Sequence, residues 1–435
     1  MSLVVCNNMS FFIVCFAKLH LCEKLGRRIM KVGIIDADLI GRSKHRFPNL
    51  VCEKISGYWK SQTAEVHLLM DYYWTEDFDR IYISKVFTDT PVPQFVENLK
   101  NGDPDGKIFV GGTGFFFDKA PNLPGEIEHH APDYHLYDEW IYGEVERARK
   151  EAEANGKEFH KSRFMVQFKE YTEYSIGFVT RGCFRKCKFC VNQKFDHVFC
   201  HSPLDEFLDK SRKKICLLDD NFLGCKEWRE ILQQIINTGK PFKFKQGLDE
   251  RLLTDEKCEI LFNANYDGDF TFAFDNIEDY EIIHKKLRLI RKYNANKSVK
   301  FYVLVGFIST DEHDIENAFR RIELLLHYRC LPYIMRYMDK NNTPWKKSKY
   351  RSLYITLARW CNQPSIIKKM SFREFCEANQ ALHKTKGSYC SSMKSMMEFE
   401  KEFPNIAKRY FDIHFGEDNP KATPHKVHKL EIKHD

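Results

Sequence analysis

The sequence has no apolar run long enough to cross a bilayer. Its early apolar stretch, Met9 to Cys22 (MSFFIVCFAKLHLC), has a core of about seven apolar residues where roughly 20 are needed. It also lacks a basic leading region and a small-residue cleavage site, so it does not read as a secretory signal. No internal repeat is present. No charge of one sign dominates: a net charge of +7 over 435 residues is accounted for by solubility and does not demand a nucleic-acid partner. Nor do the 15 cysteines form a paired framework. Most stand alone: Cys52, Cys216, Cys225, Cys258, Cys330, Cys361, Cys376 and Cys390 read as small buried apolar residues. These absences point to a cytoplasmic, reducing setting with no membrane partner, where a tight cysteine cluster means metal and not disulfides.

What is present is ordinary core-forming material. Hydrophobic residues make up 43% and charged residues 30%, with 36 Phe and 20 Tyr. At Met30 the text changes abruptly to MKVGIIDADLIG, so residues 1–29 are expected to be an extension outside the fold. Residues 30–118 alternate short apolar runs (KVGIIDA, AEVHLL, DRIYISKVF, KIFVGG) with helix-spaced segments. That predicts a small doubly wound parallel sheet. Residues 119–172 read as a connector rich in Pro, His and acid, followed by a charged exposed helix. From 173 to 340 six strand candidates, YSIGFVT through PYIMRYM, alternate with amphipathic helices. The expected fold class is therefore α/β. A doubly wound sheet comes first, then a (β/α)6-type partial TIM barrel, then a helical region with a polar tail over 341–435.

Directly after the first strand of the second alternation stands VTRGCFRKCKFCVNQ, Val179 to Gln193. Its cysteines, Cys183, Cys187 and Cys190, are spaced C-x3-C-x2-C among four basic residues. Thiolates select soft metals, and basic neighbours favour the thiolate. Three thiolates on a 4Fe–4S cube leave one iron open. The competing reading is a closed zinc site, which needs a fourth ligand such as His197 or Cys200. The strand-end position, where barrel folds gather their chemistry, favours the cluster.

This loop, with aromatic Phe189 before the last cysteine, resembles the signature of the radical S-adenosylmethionine superfamily. The resemblance implies that Cys183, Cys187 and Cys190 hold a 4Fe–4S cluster whose open iron is chelated by S-adenosylmethionine. It implies a 5′-deoxyadenosyl radical as the product and an electron donor such as flavodoxin or ferredoxin. Asp219, Asp220 and Asn221, in LLDDN, close the second strand where that family contacts the methionine amino group; its usual Gly-Gly-Glu is absent. On the same resemblance Gln246, Asp249, Arg251, Asp275, Gly306 and Arg336, at later strand ends, are candidate cofactor or substrate contacts. The substrate is not legible in the sequence.

Residues 30–118 resemble the cobalamin-binding domain that precedes the barrel in one branch of the superfamily. GGTGF, Gly111 to Phe115, and the connector LPGEIEHHAPDY fit that order. The branch's D-x-H-x-x-G motif does not: Asp38 stands where the axial histidine would be. The resemblance thus allows cobalamin only without a histidine axial ligand, with methyl transfer as the reaction it would imply. A methylthiotransferase would need three cysteines in the N-terminal domain, and residues 30–170 hold only Cys52.

Overall fold

The computed structural model describes residues 28–73, 77–338, 343–385 and 387–416. The expectations for residues 1–27 and for the tail from 417 on lie outside the described residues. The chain forms two compact units: the part up to Gly177 with Ser202–Ile215, and Phe178–His201 with the part from Cys216 on.

In the first unit, β1 (Lys31–Asp36), β2 (Glu65–Leu68), β3 (Arg80–Ser84) and β4 (Ile108–Gly111) form a four-stranded parallel sheet in the order β2-β1-β3-β4. Val32 aligns with Val66, Ile34 with Tyr82 and Ile83 with Val110. All four strands were expected. Their side chains alternate between two cores. Val32 and Ile34 pack with Cys52 and Ile55 of α1 (Leu50–Ser61). Ile35, Ile81 and Ile83 pack with Phe78, Val96 and Phe115 on the other core.

The stretch read as a connector contributes to the first of these cores. Tyr137, Phe168 and Tyr171 are buried there. So are Ile141 and Val145, from the first turns of α2 (Asp138–Ala154). Aromatic residues scattered between prolines and histidines carry no period, so their burial was invisible in sequence. The unit also holds β5 (Tyr174–Gly177), where Glu173 O accepts from Lys214 N at 3.0 Å.

In the second unit, β6 (Thr180–Arg181) and β7 (Phe199–Cys200) pair antiparallel and close the cysteine loop at its base. Next come β8 (Lys214–Leu217, ending in this unit), β9 (Phe242–Phe244), β10 (Phe270–Ala273), β11 (Val299–Val305) and β12 (Leu331–Arg336). Between them run α3 (Trp228–Asn237), α4 (Asp255–Asn263), α5 (Tyr280–Tyr293) and α6 (Glu312–His327). Thr254 caps α4 by accepting from Lys257 N, as its type predicts.

The hydrogen bonding does not draw one continuous curled sheet. β10, β11 and β12 form a separate three-stranded parallel sheet. Between β9 and β10 there remain one bridge, Phe242 to Tyr266, and isolated bonds such as Leu248 N to Thr271 O. β9 is only three residues long, and the chain leaves it through the turn at Gly247.

The helical region is α7 (Arg351–Cys361), α8 (Phe372–Ala381) and α9 (Ser391–Glu402). It buries the aromatics that the composition made conspicuous. Phe319 of α6 lies 5.2 Å from Phe372 and 5.3 Å from Phe411, ring to ring. Among the described residues no helix is long and apolar enough to cross a membrane.

Candidate active site on the cysteine loop

The loop begins at Gly182, whose φ of +89° and close approach to His197 O leave no room for a Cβ. Beyond it the three thiols are half-buried, and those of Cys183 and Cys190 receive N–H donors. Arg185 N and Asn221 Nδ2 each lie 3.4 Å from Cys183 Sγ, and Asn192 N lies 3.3 Å from Cys190 Sγ. Such donors stabilise negative sulfur and tune clusters.

Burial pushes the Cys187 and Cys190 thiols up, helped by the neighbouring cysteines and Asp275. The basic residues were expected to pull the thiols down, but most are committed elsewhere. Arg185 Nε sits 2.7 Å from Asp249 Oδ2, and Lys186 Nζ donates to Gln193 O. Arg181 stacks over Phe178 at 4.0 Å.

Asp219, Asp220 and Asn221 hold the loop in place. Asp219 Oδ1 accepts from Thr180 N at 2.6 Å and Thr180 Oγ1 at 2.5 Å. Asp220 accepts from Gly182 N at 2.8 Å and Asn192 Nδ2 at 2.7 Å. Asn221 reaches Cys183, and more loosely Asp249 Oδ2 at 3.5 Å. Burial raises the Asp219 carboxyl to about 7. Asp219 Oδ2 and Asn221 Oδ1 are buried with no hydrogen-bond partner. Unmatched buried acceptors call for an explanation, such as a ligand's donor.

The later strand ends join this network in part. Burial would raise the Asp249 carboxyl, but Arg251 and Arg185 hold it below the usual range. Arg251 in turn reaches Asp279 at 2.9 Å. Asp275, raised to about 6 by burial, accepts from Leu304 N at 3.2 Å. Phe189 meets Phe307 edge to face at 5.6 Å, and Phe307 meets Tyr337 at 4.7 Å. Gly306 N–H donates to Asp314 at 2.8 Å, and the glycine lies against Trp345. Arg336 stacks over Trp345 at 4.6 Å. Gln246 is exposed.

One residue escaped the sequence reading. Glu250 is fully buried and raised to about 8, first by burial and then by the Asp249 charge. Its Oε2 accepts from Ala273 N at 3.3 Å, and its Oε1 accepts no hydrogen bond but lies 3.9 Å from Arg251 Nε. A charged residue beside a strand end gives no sign in sequence that it points inward.

Four ligands around zinc put sulfurs about 3.8 Å apart, given Zn–S of about 2.3 Å. Among the described residues, the Cys, His, Asp and Glu groups gathered within 4.8 Å of one another are Cys200, Cys225 and Glu227. The ligand atoms of Cys183, Cys187 and Cys190 do not form such a group. Neither proposed fourth zinc ligand joins them: His197 Nδ1 pairs with Asp196, and Cys200 Sγ lies 3.9 Å from Cys225 Sγ.

In the first unit, Asp38 does not present a ligand. It is buried, with Oδ2 accepting from Val86 N at 2.6 Å and Oδ1 from Phe87 N at 3.3 Å and from Thr90 Oγ1. The glycines after β4 serve the unit's own packing. A Cβ at Gly112 or Gly114 would run into Lys85, and only Gly111 faces open space. These residues do not fit an axial-ligand site.

No protein-family model and no curated protein matches the chain. Among solved structures it is similar to the cobalamin-dependent S-adenosylmethionine radical enzyme OxsB in two ligand states. With aqua-cobalamin and S-adenosylmethionine bound, the identity is 12% and the TM-score 0.42, covering 93% of this chain and 66% of that one. With aqua-cobalamin alone the values are 13% and 0.41, covering 86% and 62%. The chain thus spans slightly less than two thirds of the length of the chains it matches, and both likenesses run over most of its own length at low sequence identity.

Proposed function

We propose that the protein is a radical S-adenosylmethionine enzyme in which Cys183, Cys187 and Cys190 hold a 4Fe–4S cluster. The observation that carries this is the cysteine loop: three half-buried thiols in C-x3-C-x2-C spacing, with N–H donors at Cys183 and Cys190. Bound there, the cluster supplies an electron for reductive cleavage of S-adenosylmethionine to methionine and a 5′-deoxyadenosyl radical. Asp219 and Asn221 offer the unmatched acceptors that an ammonium group would satisfy. Phe189 and Phe307 form an apolar wall beside the loop. Asp275 and Arg336, half-buried at the ends of their strands, are the polar groups left to orient cosubstrate or substrate. An electron donor of the flavodoxin or ferredoxin type completes the system, in a cytoplasmic setting. Cobalamin, if it binds, does so without a protein axial ligand from Asp38, and methyl transfer is then the reaction class.

Dithionite-reduced, anaerobically reconstituted protein is expected to release 5′-deoxyadenosine from S-adenosylmethionine. A reconstituted cluster that neither binds nor cleaves it would overturn the reading.

A further inference from the structure

Cys200, Cys225 and Glu227 lie apart from the role just assigned to the loop. Their ligand atoms form a compact triangle: Cys200 Sγ to Cys225 Sγ 3.9 Å, Cys200 Sγ to Glu227 Oε2 3.5 Å, Cys225 Sγ to Glu227 Oε2 3.2 Å. A tetrahedral zinc ion with Zn–S of about 2.3 Å and Zn–O of about 2.0–2.2 Å requires edges of about 3.8 Å between sulfurs and about 3.5 Å from sulfur to oxygen. We infer that these three residues form a second metal site, for a single thiophilic divalent cation of the zinc type, with the fourth position open to water. Two thiols and one carboxylate are the donor chemistry such a cation selects.

The placement gives the site a purpose. Cys200 is the last residue of β7, which pairs with β6 through Thr180 to close the cysteine loop. Cys225 follows the turn after Asn221, where its N–H donates to Phe222 O at 3.0 Å. A cation shared by the two would tie the base of the loop to the segment whose side chains clamp it. Cys200 and Glu227 are exposed while Cys225 is buried, so a cation has an entry path from solvent. Binding releases the two thiol protons and changes no oxidation state. The site is independent of the cluster assignment, since it uses none of the three loop cysteines.

Two measurements test it. Anaerobically purified, iron-loaded protein should carry about one zinc per chain beyond its iron after dialysis against a mild chelator. In the full chain with Cys183, Cys187 and Cys190 changed to Ala, cobalt(II) should give thiolate charge-transfer and tetrahedral d–d absorption saturating at about one equivalent. Both signals should vanish in Cys200→Ser/Cys225→Ser. Should that variant not fold, Glu227→Gln decides: this exposed change should weaken cobalt binding by about tenfold or more. The inference is overturned by absent zinc together with absent cobalt absorption. It is equally overturned by signals that survive the double substitution, by unchanged affinity in Glu227→Gln, or by an intact mass showing a Cys200–Cys225 disulfide.

Discussion

Each unit closes a central strand with an acidic pair, and the two pairs are used differently. In the first unit Asp36 accepts from Asp38 N, Leu39 N and, at 2.9 Å, the Tyr137 hydroxyl. Asp38 is likewise filled by Val86, Phe87 and Thr90. In the second unit Asp219 and Asp220 bind Thr180, Gly182 and Asn192, but Asp219 Oδ2 and Asn221 Oδ1 stay unmatched. The same device, carboxylates gripping the backbone at a strand end, is complete in one place and incomplete in the other. A saturated pair is a structural clasp. A clasp with spare acceptors beside three thiols is a place where a ligand's donors can add to it.

The comparison breaks first at the thiols. Changing Cys183, Cys187 and Cys190 together to Ala should remove the brown chromophore and about four iron per chain. Iron retained in that variant would move the site elsewhere. The matching insult to the first unit is Gly112→Ala. Its φ of +99° and a Cβ driven into Lys85 O should cost upward of about 1–3 kcal/mol, read as a fall in melting temperature, while iron content per folded chain stays the same.

Asp36 sharpens the contrast through pH. Burial raises its carboxyl from 3.8 to about 7, with the Tyr137 hydrogen bond opposing. The folded state therefore binds the proton more tightly than the unfolded state. Its contribution to stability is full below about pH 4 and is lost as pH rises through about 7. Asp36→Asn keeps the cap acceptor and removes the charge. Urea midpoints should therefore shift in the variant's favour from pH 4 to pH 8, and parallel curves would refute the assignment.

Asp220→Ala removes the acceptor for Gly182 N and Asn192 Nδ2, a loss of about 1–3 kcal/mol. It should speed cluster loss to a chelator severalfold without abolishing assembly. The smallest effect is expected from Phe189→Ala, which forfeits an edge-to-face contact of about 0.5–1.5 kcal/mol. Its cluster content should be normal and its KM for S-adenosylmethionine raised.

Strand positions were legible because buried parallel strands read as short apolar runs, and the helices because their apolar faces repeat every three or four residues. The clamp was half legible. LLDDN marked Asp219, Asp220 and Asn221, but their partners Thr180, Gly182 and Asn192 lie roughly 30 to 40 residues away in the chain. Gln246, marked by the same strand-end rule, is exposed. That rule says where a loop begins and nothing about where its side chains point.

The sequence by itself placed three soft ligands within eight residues, because C-x3-C-x2-C needs no long-range contact to do so. It also determined that Asp38 is not a histidine. Only the tertiary structure decided the rest. Residues read as a connector fill the first unit's core. Glu250 is buried with one oxygen that accepts no hydrogen bond. Cys225, one isolated thiol among many, stands 3.9 Å from a cysteine 25 residues earlier. Spacing along a chain reports neighbours within a turn or a strand; contacts across loops depend on how strands pair, and that pairing leaves no period to read.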